Sequence, residues 1–70
     1  MAKDDAVKLK TLLSHWVEHN EEHAEEFTQW ALKARASGNG RVHDHMMKAV
    51  HQMKGANKSL LAALEGLKEG

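Results

Sequence analysis

The sequence predicts an all-α protein, an antiparallel two-helix hairpin, and three observations lead to that prediction. The 70 residues contain no proline, and 41% of them are apolar. Two long segments carry apolar residues in alternating steps of three and four, which is the spacing of a helix with one buried face. The short stretch between them, residues 37–40, reads Ser-Gly-Asn-Gly and favours a turn. A short turn makes the second helix antiparallel to the first.

The first helix is predicted over about residues 5–36. Asp4 or Asp5 is a suitable N-cap, because a short carboxylate accepts hydrogen bonds from the free N–H groups of the first turn. Leu12, Ala24 and Ala31 widen the buried seam to the breadth expected in a helix bundle. The predicted seam itself consists of Leu9, Leu13, Trp16, Asn20, His23, Phe27, Trp30 and Ala34.

The second helix is predicted over about residues 41–67, after a turn in which glycine adopts the left-handed conformation. Folding the chain near residue 39 pairs residues whose numbers sum to about 77 or 78. The predicted seam of this helix consists of Val42, Met46, Val50, Met53, Asn57, Leu60, Leu64 and Leu67. The register then pairs Leu13 with Leu64, Trp16 with Leu61, Phe27 with Val50, and Trp30 with Met46 or Met47.

The same register sets Asn20 opposite Asn57, each near the centre of its seam. A buried amide without a partner costs about 1–3 kcal/mol, so a mutual hydrogen bond is expected. A structural role, fixing register and partner choice as a single seam asparagine does in coiled coils, is the favoured interpretation. A role beside a ligand is the alternative.

The segment from residue 15 to residue 26 repeats the pattern H-x-x-E three times. Residues three and four apart are neighbours on a helix, so these side chains form one stripe of imidazoles and carboxylates. The pairs are His15 with Glu18, His19 with Glu22, and His23 with Glu26. We call His15, His19 and His23 the histidine row. Relative to the predicted seam, His23 is expected largely in the core, His19 at its edge and His15 in solvent.

The histidine row predicts a site for a divalent transition metal, with Glu22 as the joining carboxylate. His15 and His23 are about 12 Å apart along the axis, so one ion is held by two neighbouring histidines, with water or a second subunit completing the site. Imidazole and carboxylate without thiolate suit zinc, nickel, cobalt or copper(II). Chance placement on a polar face, paired with glutamates, is the alternative.

Enzymatic use of such a site is disfavoured by the sequence. Zinc hydrolases with two histidines four apart on a helix have a general-base glutamate directly after the first histidine, and here Asn20 follows His19. The E-x-x-H pattern of di-iron bundles is also missing, because the residues three before the histidine row are Leu12, Trp16 and Asn20. We therefore expect a binding protein and no enzyme.

A second row, His43, Met47 and His51 with Asp44 nearby, is a weaker candidate. Histidine with methionine favours copper, but two of the three residues are expected to face solvent. The favoured interpretation is a surface row, and the methionines are most simply adaptable core residues.

Composition sets the remaining expectations. Ten acidic and ten basic residues balance, which gives no electrostatic reason for a nucleic-acid or membrane partner. No apolar run resembles a signal peptide or the roughly 20 residues of a membrane span, so a cytoplasmic protein is expected. There is no cysteine and the hairpin is small, so a homodimeric four-helix bundle, stiffened by metal or not, is the expected route to stability.

The run from Leu12 to Phe27, followed by Trp30-Ala31, resembles the signature LLxHWxEHNxEHAEEFxxWA of a small, largely uncharacterised prokaryotic two-helix family. The second helix similarly carries Ala56-Asn57, and the resemblance covers most of the chain. It implies that such domains occur alone or attached to small nickel-handling modules, which links them to nickel or cobalt handling. The residues carried over are those of the histidine row and Asn20. Histidines at 43, 45 and 51 depart from the family pattern.

Two functions therefore compete. The first is a small metal-binding protein, a chaperone, buffer or sensor for nickel, cobalt or zinc, with a metal-receiving protein as its partner. The second is a metal-free helical dimerisation or interaction module, whose histidines are structural or respond to pH.

Overall fold

The computed structural model describes residues 2–69 as two packed helices, α1 (Lys3–Ala36) and α2 (Gly40–Glu69). They run antiparallel in one elongated layer, with principal extents of 52 × 14 × 13 Å. The prediction of an all-helical hairpin is confirmed. Both helices extend about two residues further at the chain ends than the predicted ranges, 5–36 and 41–67.

The start of α1 differs from the prediction that Asp4 or Asp5 is the N-cap. The capping position is Ala2, which makes no side-chain hydrogen bond, and both aspartates lie within the first helical turn. Their carboxylates still complement the positive end of the helix dipole from there, because the dipole acts over the whole first turn. The expected electrostatic effect is therefore retained without the expected cap.

The turn between the helices forms at the predicted residues, with a glycine in the left-handed conformation. Gly38 has φ +92°, in the left-handed region, and its N–H donates to the carbonyl of Arg35 at 3.0 Å. The N–H of Asn39 donates to the carbonyl of Ala34 at 2.8 Å, which completes a Schellman motif. The Asn39 carbonyl then accepts from the N–H of His43 at 3.0 Å, so α2 begins at once.

The core is a single row of side chains between the helices. Buried in it are Leu13, Val17, Ala24, Ala31, Val50, Asn57 and Leu64. On α2 the predicted seam is confirmed from Met46 to Leu67, whose residues are all buried or half-buried. Val42, the predicted first seam residue, is instead exposed, and His43 takes the inward position beside the turn.

On α1 the predicted seam is partly wrong. Trp16 and Trp30 are 43% and 56% exposed, and Phe27 is also exposed, so these rings do not lie in the buried core. Trp30 and Met46, predicted as neighbours, do line one cavity. The seam runs instead through Val17, Ala24 and Ala31, one residue further along. The apolar stripe of α1 is wider than one helix can cover. Because helices pack only 8–10 Å apart, α2 lies against the alanine side of that stripe and the large rings stay outside.

Candidate aromatic face and histidine row

The displaced aromatic residues lie together on one side of the hairpin, roughly 90° from the α1 seam. They continue onto the adjoining flank of α2. We define the aromatic face as Leu12, Trp16, His23, Phe27 and Trp30 of α1 with Val42, Ala49, Ala56 and Ala63 of α2. A shallow cavity shows that the two helices share this side. It is lined by Trp30, Lys33, Ala34 and Ser37 near the end of α1 and by Val42 and Met46 from α2.

The aromatic face is poor in charge. Helical spacing from Leu9 to Ala34 and from Val42 to Leu67 places no Asp, Glu, Lys or Arg at its centre, although the chain has twenty such residues. Charge does reach its border, because Nζ of Lys33 lies 4.4 Å from the centroid of the Trp30 ring and Oε2 of Glu26 lies 4.0 Å from Nδ1 of His23. A second cavity, on the opposite side of the hairpin, is lined by Glu21, Glu25 and Lys54. The hairpin is thus amphipathic as a whole, with a second apolar side beyond the one that joins its helices.

The shape of the hairpin leaves more surface exposed than a compact protein of its mass. Its accessible surface is 5363 Å², whereas a 7.8 kDa globular monomer exposes about 4,400 Å². The excess is roughly 1,000 Å². The radius of gyration is also larger than that of a compact chain of this length, 15.9 Å compared with about 11 Å.

The histidine row is continuous along α1. The ring centroids of His15 and His19 are 5.7 Å apart, and those of His19 and His23 are 4.6 Å apart in an edge-to-face arrangement. Two imidazoles that bind one ion through nitrogens about 2.0–2.1 Å from it have centroids roughly 4.5–5.3 Å apart. The ring centroids of His19 and His23 lie at this separation, and those of His15 and His19 fall slightly outside it.

The row is more exposed than the sequence predicted. His23 was expected largely in the core, but 45% of its side chain is accessible. Around the helix, Asn20 lies between His23 and the observed α1 seam, so His23 is turned away from α2. His23 instead belongs to the aromatic face, with its ring centroid 5.9 Å from that of Phe27. His19 lies at the edge of this face, and His15 points away from it.

The carboxylate nearest to the row is Glu26, whose Oε2 is 4.0 Å from Nδ1 of His23. Sequence reasoning chose Glu22 as the joining carboxylate. Glu22 makes no such contact within residues 2–69, whereas Glu26 follows His19 and His23 at the i+7 and i+3 positions of one helical stripe. Nowhere in residues 2–69 do three or more His, Asp or Glu side chains converge enough to hold an ion.

The charge around the row is strongly one-sided. Residues 15–26 contain five glutamates and no lysine or arginine. The nearest bases along α1 are Lys10 and Lys33. A cluster of carboxylates produces a negative local potential, which raises the local concentration of cations. The pair formed by His19 and His23 therefore lies in surroundings that suit a divalent cation.

The two asparagines predicted to meet are hydrogen-bonded. Nδ2 of Asn20 donates to Oδ1 of Asn57 at 2.9 Å, and Nδ2 of Asn57 donates to the backbone carbonyl of Val17 at 3.2 Å. Within the part of the chain that the structure describes, no buried side-chain polar atom lacks a partner. The two amides thus join α1 to α2 at the middle of the hairpin.

The second candidate row is split by the structure. His43 is mostly buried, with Nδ1 at 2.9 Å from Oδ1 of Asp44, while Met47 is half-buried and His51 is exposed. The prediction that two of the three face solvent is therefore wrong, since only His51 is exposed. Within residues 2–69 no ring contact joins His43 and His51, so this row is a poorer metal site than the histidine row.

These features describe a class of protein: a short antiparallel helical hairpin with an apolar outer face and a histidine–glutamate stripe. The sequence profile of a family described as a domain of unknown function, DUF8180, matches residues 9–67, and the chain belongs to that family. The match spans the histidine row, both asparagines and the aromatic face. No curated protein and no solved structure matches the chain. Neither helix, over residues 2–69, is long and apolar enough to cross a membrane.

Proposed function

We propose that this chain is a self-associating helical module, in which two hairpins bury their aromatic faces against each other as a homodimeric four-helix bundle. The observation that carries the proposal is the aromatic face itself, which exposes Trp16 and Trp30 and has no charged residue at its centre. Large uncharged apolar patches on water-soluble chains mark interaction sites, and depletion of charge is typical of interface cores.

Surface area supports a second copy as the occupant. One side of the hairpin, 52 Å long and 14 Å wide, presents roughly 700 Å², close to the 800 Å² that each partner buries in a typical stable interface. The excess exposure of roughly 1,000 Å² over a compact monomer is of the same size. Pairing two hairpins would therefore cover about the area that the single hairpin leaves uncovered.

Sedimentation equilibrium of the full chain in the presence of EDTA tests the proposal. The expected result is a species of twice 7.8 kDa that dissociates only on strong dilution. Trp16→Glu is expected to shift the chain to monomer, because it would bury an unpaired carboxylate in the interface. A wild-type chain that stays monomeric from about 1 µM to about 500 µM would falsify the proposal.

A second candidate function is binding of a nickel, cobalt or zinc ion by the histidine row. The observation that favours it is the 4.6 Å separation of the His19 and His23 rings. Glu26 is the best-placed third ligand, since a change of side-chain rotamer brings its carboxylate from 4.0 Å toward the pair. Water would complete the coordination, which makes this a site for chelation and exchange of an ion and gives no support to catalysis.

The geometry supports self-association more strongly than metal binding. A largely apolar face extends from Leu12 to Trp30 of α1, whereas only two imidazoles lie at the separation that one shared ion requires. The EDTA in the sedimentation experiment separates the two functions, because a dimer that persists without metal does not depend on the histidine row. Titration with nickel and zinc then tests chelation independently.

A further inference from the structure

We infer that the two copies pack about a two-fold axis parallel to the helices, so that a ridge on α1 of each copy lies in a groove on α2 of the other. The ridge is Trp16, His23 and Trp30, and the groove is Ala49, Ala56 and Ala63. This inference rests on the proposed dimer and adds to it the orientation of the partner.

The ridge follows from the heptad spacing of its three residues. Trp16, His23 and Trp30 are seven apart, so they form one straight line along α1 on the aromatic face. All three keep a large share of their side chains accessible, at 43% and 56% of the residue for the tryptophans and 45% of the side chain for His23. Trp16 and Trp30 are the largest side chains on this side of the hairpin, and His23 lies on the line between them.

The groove lies directly beside the ridge on the same face. Ala49, Ala56 and Ala63 are also seven apart, and the register set by Asn20 and Asn57 puts each alanine within about two residues, or 3 Å, of the level of one ridge residue. Ala56 and Ala63 are exposed and Ala49 is half-buried. The α1 half of the aromatic face therefore projects, and the α2 half is recessed by about the size of an aromatic side chain.

Two symmetric arrangements can bring two such faces together. An axis parallel to the helices places the ridge of each copy on the groove of the other. An axis perpendicular to the helices, within the interface, places ridge on ridge and groove on groove. Protein interiors pack at near-crystal density with large side chains opposite small ones. Ridge on ridge would hold the copies apart and leave the alanines without contacts, so the parallel axis is the arrangement that fills the interface.

The parallel axis also determines where the histidine rows lie. His19 and His15 turn toward the outer edge of α1, away from α2. With the parallel axis, the two α1 helices are diagonal in the bundle, so the two rows lie on opposite sides of it. A metal ion held by His19 and His23 then belongs to one subunit. A metal-bridged dimer would need the perpendicular axis, which brings the two α1 helices into contact.

Cysteine cross-linking distinguishes the arrangements, because the chain has no cysteine of its own. We would prepare His23→Cys and Ala56→Cys as separate chains, confirm by sedimentation that each is dimeric, and oxidise them alone and mixed. The parallel axis predicts a disulfide-linked species only in the mixture, since the two positions face each other across the interface. Trp30→Cys mixed with Ala49→Cys is a second pair with the same expectation.

The other outcomes overturn the inference. Cross-linking of His23→Cys with itself supports the perpendicular axis, and a dimer in which neither pair cross-links contradicts the facing ridge and groove. Glu25→Cys mixed with Lys58→Cys, on the charged side of the hairpin, is the matched control and should stay unlinked. If the unsubstituted chain is monomeric, the proposed dimer itself fails, and sedimentation shows this before any oxidation.

Discussion

Asn20 and Asn57, 37 residues apart in the chain, are joined by a hydrogen bond of 2.9 Å at the middle of the hairpin. The Asn57 amide also donates to the carbonyl of Val17, so one buried side chain holds α1 at two points. Above and below this polar pair the seam is apolar, with Leu13 and Leu64 toward one end and Ala31 toward the other. A slip of the helices would leave both amides without partners.

The first prediction concerns this pair. Asn57→Leu should lower the free energy of unfolding by about 1–3 kcal/mol, because the Asn20 amide loses its acceptor in a partly buried site. The double variant Asn20→Leu/Asn57→Leu should recover most of this loss, since neither amide is then left unpaired. Urea denaturation of the wild type, of Asn20→Leu, of Asn57→Leu and of the double variant gives the coupling energy between the two asparagines. Simple additivity of the single changes would contradict a paired role.

The second prediction uses two leucines of matched exposure on α1. Leu12, on the aromatic face, is 43% exposed, and Leu32, on the charged side, is 46% exposed. Leu12→Glu should raise the dimer dissociation constant at least about tenfold, because the carboxylate would be desolvated at the interface. Leu32→Glu should change it by less than about threefold. Equal effects of the two changes in analytical ultracentrifugation would show that the aromatic face is not the interface.

The third prediction compares two glycines in which an added Cβ meets no atom within 4 Å. Gly38 has φ +92°, so Gly38→Ala should destabilise the hairpin by about 1–2 kcal/mol through backbone strain alone. Gly55 lies inside α2, where Gly55→Ala should stabilise by about 0.5–1 kcal/mol through helix propensity. Thermal unfolding at one fixed chain concentration measures both. Effects of the same sign would contradict the Schellman assignment.

The fourth prediction concerns the histidine row. If His19 and His23 chelate nickel or zinc, a metal concentration of 100 Kd should raise the free energy of unfolding by about 2.7 kcal/mol. His19→Ala should abolish this effect, and His15→Ala should reduce it far less, because the His15 ring lies further from its neighbour.

The control for the metal experiment is His51→Ala, which removes an exposed histidine from α2. Its metal-induced stabilisation should equal that of the wild type. Equal loss in His51→Ala and His19→Ala would indicate weak, distributed binding by surface histidines and no defined site. Isothermal titration then gives the stoichiometry, which should be one ion for each chain.

The sequence by itself determined the elements, the turn and the register. The three-and-four spacing required helices, the glycine at position 38 provided the left-handed residue, and the asparagines could satisfy each other in only one alignment. The continuous line of histidines along α1 followed from spacing alone, because residues four apart on a helix always adjoin.

Only the tertiary structure decided which half of the broad α1 stripe α2 would cover. Both halves are apolar, so periodicity could not separate Val17, Ala24 and Ala31 from Trp16, His23 and Trp30. The choice depends on side-chain volume, because two helices approach closely only over small residues. That one rotation moved the aromatic rings from the expected core to an outer face and left His23 partly exposed.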